Sequence, residues 1–191
     1  RSIFGFIRNA EVKNLTLTNS TITAYNNAGG IVGYNYPGTI ENCHVTSTVT
    51  IQGGQSNSTN SGGIVGKSEK YSSPYPAVRG CTSAATVSSQ QFVGGIAASL
   101  NNGSIENCLM LATTVTGISK VGAIVGEKKS GTLTDNFHTC RDMGGVGDDN
   151  ATSTDIDGQA TFAYEYPAAN AAIGAAVSTY ATGTDYEGIT V

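Results

Sequence analysis

The stretch Gly29-Gly30-Ile31-Val32-Gly33-Tyr34, followed after a short spacer by Gly38-Thr39-Ile40-Glu41-Asn42-Cys43, decides the fold, because both halves return along the chain. The first half recurs as Ile3-Phe4-Gly5-Phe6, Ile64-Val65-Gly66-Lys67, Ile96-Ala97-Ala98-Ser99 and Ile124-Val125-Gly126-Glu127, with leading Ile residues 28, 33, 32 and 28 positions apart. A small pair precedes it at Gly29-Gly30, Gly62-Gly63, Gly94-Gly95 and Gly122-Ala123. The second half recurs as Val12-Lys13-Asn14-Leu15, Val78-Arg79-Gly80-Cys81 and Ile105-Glu106-Asn107-Cys108. A degraded copy, Leu133-Thr134-Asp135-Asn136-Phe137, is read with one residue inserted. Self-similarity at a fixed period of about 20–50 residues is the mark of a solenoid or array.

Within a repeat the apolar spacing is two. Leu15 and Leu17 flank Thr16, and Cys43 and Val45 flank His44, which is the period of a strand with one buried face. A second short strand is expected around Ile22, Val49, Val87 and Val115. Stacked coils pair each strand with its equivalents at ~4.8 Å, so each inward position becomes a column along the axis. The expected columns are Leu15, Cys43, Cys81, Cys108, Phe137 and Ile3, Ile31, Ile64, Ile96, Ile124. Two positions before the first column lie Lys13, Glu41, Arg79, Glu106 and Asp135, whose signs alternate over the first four. Opposite charges on neighbouring strands favour that register. The two longer repeats carry their excess in Gln52–Asn60 and in Ser68–Pro76, which are turn and loop compositions. A repeat that takes insertions at a corner and keeps its apolar columns is a solenoid coil. The expected fold is all-β, a single-stranded parallel β-helix or β-solenoid of about five coils over residues 1–140. A mixed C-terminal cap, or the start of another module, is expected over 141–191.

Composition agrees. Charged residues are 13% of the 191 residues, Gly numbers 25 and Trp is absent; such a chain favours strands and tight turns over helical bundles. Ten Lys and Arg against fourteen Asp and Glu, a net charge of −4, lack the basic stripe that nucleic-acid binding requires. No apolar run reaches the ~18–20 residues of a membrane-spanning helix. The chain opens at Arg1-Ser2-Ile3, already inside a repeat. It therefore reads as the interior of a longer protein, and a missing signal peptide carries no information.

The paired motifs resemble the GLUG repeat of bacterial surface proteins, especially of gut Bacteroidetes, which also occurs in some immunoglobulin-cleaving peptidases and adhesins. The match stands at Gly29–Tyr34 and Gly38–Cys43, with looser copies at Gly62–Lys67, Gly94–Ser99 with Gly103–Cys108, and Gly122–Glu127, and covers about residues 3–140. The fourth copy departs at Ala97-Ala98 and the third at Gly80. The resemblance implies a secreted, adhesin-like module of the bacterial cell surface, with an outer-membrane-anchored parent. It brings no catalytic motif.

Beyond Cys140 the repeat stops. Residues 141–159 are rich in Gly, Asp and Asn, residues 167–181 carry helical spacing at Ile173, Val177 and Tyr180, and Tyr186–Val191 reads as a strand. The open end of a solenoid needs such cover. Asp148-Asp149-Asn150 and Asp155-Ile156-Asp157-Gly158 hint at calcium near Asp149, Asp155 and Asp157. In an EF-hand alignment, however, Tyr164 occupies the place of the bidentate Glu. A polar capping loop is the plainer reading, and no cofactor is otherwise expected.

Other candidate sites resolve into structural roles. Cys43, Cys81 and Cys108 are read as buried free thiols, with one disulfide as the alternative, since stacked Cα atoms fall within disulfide range but parallel side chains need not meet. No Cys-x-x-Cys is present. His44 and His138 are read as solvated residues on the outward face of one strand stack, three coils apart and too distant to share a metal. Glu41 and Glu106 lie two coils apart with Arg79 between them, an arrangement suited to charge pairing rather than to a glycosidase pair, one of which must stay protonated. Tyr25, Tyr34, Tyr36, Tyr71 and Tyr75 fall in turns or insertions of the first three coils. Exposed aromatics of this kind are platforms for sugars or partner proteins, which makes Tyr34, Tyr36, Tyr71 and Tyr75 the candidate partner-binding residues.

The functional expectation is a non-catalytic surface module that presents loops 52–60 and 67–76 to a host or cell-surface glycan or protein. One alternative is an architectural spacer within a larger surface protein. The other is a polysaccharide-active β-helix enzyme, disfavoured because the repeats lack a clustered Asp, Arg and Lys groove.

Overall fold

The computed structural model describes residues 1–54, 59–111, 115–140, 143–149 and 160–162. Five coils follow one another. The first holds β1 (Phe4–Ile7), β2 (Ala10–Lys13), β3 (Thr16–Leu17) and β4 (Thr21–Ala24). The second holds β5 (Asn27–Gly29), β6 (Val32–Asn35), β7 (Gly38–Glu41), β8 (His44–Val45) and β9 (Thr50–Gly53). The third holds β10 (Asn60–Gly62), β11 (Val65–Glu69), β12 (Ala77–Arg79), β13 (Thr82–Ser83) and β14 (Thr86–Ser88). The fourth holds β15 (Gln91–Gly94), β16 (Ala97–Glu106), β17 (Leu109–Met110) and β18 (Val115–Thr116), and the fifth β19 (Ser119–Gly122), β20 (Val125–Thr134) and β21 (Asn136–His138). Two more strands, β22 (Val146–Asp149) and β23 (Ala160–Phe162), lie beyond. No helix occurs among the described residues.

Every strand pairs in parallel with its equivalent in the next coil, which builds four sheets along one axis. The widest runs through β1, β6, β11, β16 and β20 on one side of a corner and β2, β7 and β12 on the other, joined because β16 and β20 pass through that corner unbroken. The Ile column is in register, with Ile31, Ile64, Ile96 and Ile124 fully buried and joined by Ile31 N–H to Ile64 O (3.0 Å), Ile64 N–H to Ile96 O (2.9 Å) and Ile96 N–H to Ile124 O (3.0 Å). Each such side chain withdrawn from water contributes about 1.5–3 kcal/mol. The small residues beside it have a steric cause. A Cβ at Gly29, Gly62, Gly94 or Gly122 would collide with the carbonyl of the following Val or Ala in its own coil and with backbone of the next.

A second corner explains the tolerance of the other motif. Asn14, Asn42, Gly80, Asn107 and Asp135 all adopt left-handed backbone, with φ of 58°, 50°, 58°, 52° and 52°. Asn, Asp and Gly are the residues that accept this region, so Gly80 replaces Asn at no structural cost. Asn42 Nδ2 also donates to Asn14 Oδ1 at 2.6 Å across the coils.

Asp135 on that corner corrects the register expected for the fifth coil. Leu133 pairs with Ile105 and Thr134 with Glu106, while Phe137 pairs with Leu109. No residue is inserted there, and the inward partner of Cys108 is Asn136, not Phe137. Asn136 is buried, accepts the Cys108 N–H at Oδ1 (3.0 Å) and donates from Nδ2 to Ile105 O (2.8 Å). An amide satisfied at both ends fits the apolar column, whereas the larger apolar neighbour draws a sequence alignment one position too far. The charge column accordingly ends on Thr134 rather than Asp135. In the adjoining sheet Ile22 pairs with Ile51, which pairs with Val87 and then Val115. Ile51 thus takes the place expected for Val49, whose amide closes a turn onto Thr46 O at 3.2 Å.

Parallel pairing continues past residue 140. β22 extends the widest sheet on β20 and β23 extends another on β21. Gly145 O accepts both Ile124 N–H (2.9 Å) and Val125 N–H (3.0 Å). Gly145-Val146-Gly147 therefore overlies Ile124-Val125-Gly126, a further copy whose Ile has become Gly. Backbone pairing needs no side-chain signature, which is why the motif fades before the sheet does. The expected helix over 167–181 and strand over 186–191 lie outside the described residues.

Candidate binding surface

The corner between the two arms of the widest sheet differs from coil to coil. In the fourth coil it is filled by Asn102 and Gly103, at φ 60° and 106°, within the continuous β16. In the third coil residues 70–76 take the same place, because Glu69 pairs with Asn101 and Ala77 with Ser104. The base of this insertion is pinned. Lys70 N–H donates to Asn101 O (3.1 Å), Asn102 Nδ2 donates to Lys70 O (2.9 Å) and Ser104 N–H donates to Pro76 O (3.0 Å). Between these ties residues 71–75 are all exposed, with Tyr71 at 73% and Tyr75 at 51%. The Ser73–Pro74 peptide is cis.

One flank of the insertion is aromatic and charged. Tyr34 lies in strand β6, not in a turn as the sequence suggests, and faces outward in register with Phe6 and Lys67. The Phe6 and Tyr34 rings meet edge-on with centroids 5.3 Å apart, and Tyr34 and Tyr36 lie 5.9 Å apart. Lys67 Nζ sits 5.6 Å from the centre of the Tyr34 ring and 2.7 Å from Glu69 Oε1, which also accepts the Tyr34 hydroxyl at 2.7 Å. Burial and the neighbouring carboxylate raise the Tyr34 phenol above its ordinary value. Burial works to raise the Glu69 carboxyl, and hydrogen bonds from Lys67 and Tyr34 outweigh it, leaving the group below its ordinary value. The flank thus holds a fixed ion pair under an aromatic cover. Phe6, 53% exposed, was not among the residues expected here. Its signal was present, since Phe6 holds the place of Tyr34 in the first copy of the motif.

The other flank is a groove of about 460 Å³ lined by Asn9, Ala10, Glu11, Pro37, Gly38, Thr39, Pro74 and Tyr75. The insertion supplies one wall and the turns of the first two coils supply the rest. Tyr34, Tyr36, Tyr71 and Tyr75 therefore surround a single insertion. Tyr25, 75% exposed, belongs to a different corner, where Thr59 Oγ1 donates to Tyr25 O at 3.1 Å. The stretch 52–60 leaves from that corner too, between β9 and β10, and its residues 55–58 lie outside the described ones.

The cysteine and histidine candidates are interior. Cys43, Cys81, Cys108 and Cys140 are buried and unbridged. The first three form a thiol ladder, in which Sγ lies 3.3 Å from Glu41 O, Arg79 O and Glu106 O respectively. The thiol of Cys43 is raised by its contact with Cys81 and by burial, Cys81 is raised chiefly by burial, and burial pushes Cys140 up to about 11. The two histidines are not solvated: His44 is 5% exposed and His138 2%. Nor do they share a column, since His44 pairs with Thr16 and Thr82, and His138 with Met110. The outward face at His44 is covered, as the full burial of Thr82 beside it shows. His44 Nδ1 and Thr82 Oγ1 are 2.8 Å apart and His44 Nε2 and Asn42 Oδ1 3.0 Å, and burial lowers the imidazole to about 4. Arg79 stands in register between Glu41 and Glu106. Asp149 ends β22 in register with Lys128, while Asp155 and Asp157 lie outside the described residues. No group of three or more His, Cys, Asp or Glu suited to a metal ion occurs among the described residues, and no described helix is long and apolar enough to cross a membrane.

Coils of parallel strands sharing one continuous core define a parallel β-solenoid. It carries the GLUG motif, whose family model matches residues 24–50, the second coil's β5 to β8 with the corner before them and the first residue of β9. Among solved structures the fold is similar to a protein described as a "putative immunoglobulin A1 protease" from Bacteroides ovatus, with a TM-score of 0.62 and 20% identity over 93% of this chain and 66% of that one. At that identity the likeness is one of fold, and the chain spans just under two thirds of the other's length. No curated protein matches the chain.

Proposed function

We propose that this chain is a non-catalytic extracellular binding module, adhesin-like, which offers the surface around residues 70–76 to a glycan or protein of a host or neighbouring cell. The observation that carries the reading is the insertion itself: five consecutive exposed residues, two of them Tyr, on a base tied to the next coil. Exposed aromatics on a rigid base lose little conformational freedom when they bury area against a ligand. The GLUG motif and the Thr-, Ser- and Asn-rich strands support an extracellular setting. The register of Arg79 between Glu41 and Glu106 supports a column of alternating charge over a glycosidase pair, because opposite charges on neighbouring strands favour that stacking.

Binding of the labelled chain to an array of glycans and extracellular-matrix proteins tests the reading. A defined subset of ligands is expected to be retained, and the Tyr71→Ala/Tyr75→Ala double variant is expected to bind them at least about tenfold more weakly. Undiminished binding by that variant contradicts the choice of surface. Absence of any ligand favours a spacer, and release of reducing or unsaturated sugar from a polysaccharide contradicts the non-catalytic reading.

A further inference from the structure

The groove beside the insertion has a chemistry narrower than a general adhesive surface. Its volume of about 460 Å³ lies within the ~300–1,000 Å³ of small-ligand sites. Tyr75 supplies a half-exposed aromatic ring, and Pro37 and Pro74 supply apolar walls. Asn9 offers an amide, Thr39 a hydroxyl and Glu11 a carboxylate. These groups are held on firm backbone. Asn9 adopts φ 49° with its N–H bonded to Pro37 O, and Glu11 and Thr39 are register partners on β2 and β7.

Charge limits the ligand further. Glu11 is the one ionisable carboxylate in the lining and no Lys or Arg lines it. Lys13 Nζ already neutralises Glu11, at 3.0 Å from Oε2. An anionic ligand would meet the Glu11 carboxylate with no cation in the lining, and a cationic one would compete with Lys13 for that carboxylate. A ligand with apolar C–H faces and many hydroxyls meets every group present. The faces stack on Tyr75, and the hydroxyls bond to the amide, the hydroxyl and the carboxylate.

Resting on the binding-module reading, we infer that this groove is a subsite for a neutral oligosaccharide, with Tyr75 as the stacking platform and Asn9, Glu11 and Thr39 as the hydroxyl-binding groups. A protein partner would need about 20–30 residues of matching surface per side, and eight residues line the groove.

The test is titration calorimetry of the whole chain with neutral gluco-, manno- and galacto-oligosaccharides and with uronic-acid oligosaccharides as the anionic comparison. At least one neutral series is expected to bind, and the anionic series to bind at least about tenfold more weakly. Tyr75→Ala should weaken binding at least about tenfold, Thr39→Val about threefold, and Tyr75→Phe by less than about threefold. Tyr25→Ala at the other corner should change nothing, and unchanged melting temperatures establish that the variants fold. Tighter binding of the anionic series overturns the assignment. So does glycan or protein binding that survives Tyr75→Ala but is lost in Tyr71→Ala, which leaves the binding module standing without this groove. Binding of no oligosaccharide overturns the groove assignment, and retention of no glycan or protein on the array overturns the binding module as well.

Discussion

At single positions, burial sets the chemistry. The stacked thiols of Cys43 and Cys81 are held above the ordinary thiol value, and the thiolate is the reactive form. Native protein at pH 8 should therefore resist a thiol reagent, while all four cysteines should react in denaturant; prompt labelling of the folded chain would refute the ladder. His44 gives a pH dependence with a definite sign. Its ordinary value of 6.5 falls to about 4 on burial, so the unfolded chain takes up a proton that the folded chain refuses. The stability tied to His44 is complete above about pH 6.5 and is lost as pH falls toward 4. Melting temperatures of His44→Gln should decline less than those of the parent across that interval, and parallel declines would contradict the burial. Asn136→Ala should cost about 1–3 kcal/mol in denaturant unfolding by leaving the Ile105 carbonyl and the Cys108 amide without their partner. The motif shows where a residue sits, but not always what surrounds it. Apolarity favours Phe137 over Asn136 in an alignment of the motif, and strand alternation alone does not show what covers the outward face at His44.

At the scale of strands and turns, position along the column governs what a residue is worth. Ile64 is fully buried between Ile31 and Ile96, whereas Ile3, in the first coil, is 46% exposed. Ile64→Ala should destabilise by about 2–5 kcal/mol and Ile3→Ala by less than about 1 kcal/mol, a contrast that unfolding curves measure directly. Equal losses would mean that the coils do not share one column. The Ile and Cys columns were legible because stacking repeats the same side chain at the same depth. So were both insertions, as departures from the shortest repeat. Their placement on two separate corners was not legible, since repeat length gives how many residues are added and not which way they project. Nor was Tyr34 as a strand residue, because the Tyr-x-Tyr-Pro-Gly run reads locally as a turn.

Over the whole molecule, the solenoid supplies regularity and the third coil breaks it at one corner. The Asn102–Gly103 corner of the fourth coil shows that the sheet closes without an insertion. Residues 70–76 are thus not needed to complete the fold, and their exposed Tyr side chains make the case for binding. The continuation of pairing through β22 and β23 belongs to this scale as well. The sequence ended the repeat at Cys140 because Gly145 had replaced the Ile of the motif, while the backbone went on pairing.

Replacement of residues 70–76 by Asn-Gly, followed by binding to the same array of glycans and matrix proteins, tests the central claim most directly. The account predicts an unchanged β circular-dichroism spectrum, a melting temperature within a few degrees of the parent, and loss of the parent's ligands. Full binding by the trimmed, folded chain would contradict it.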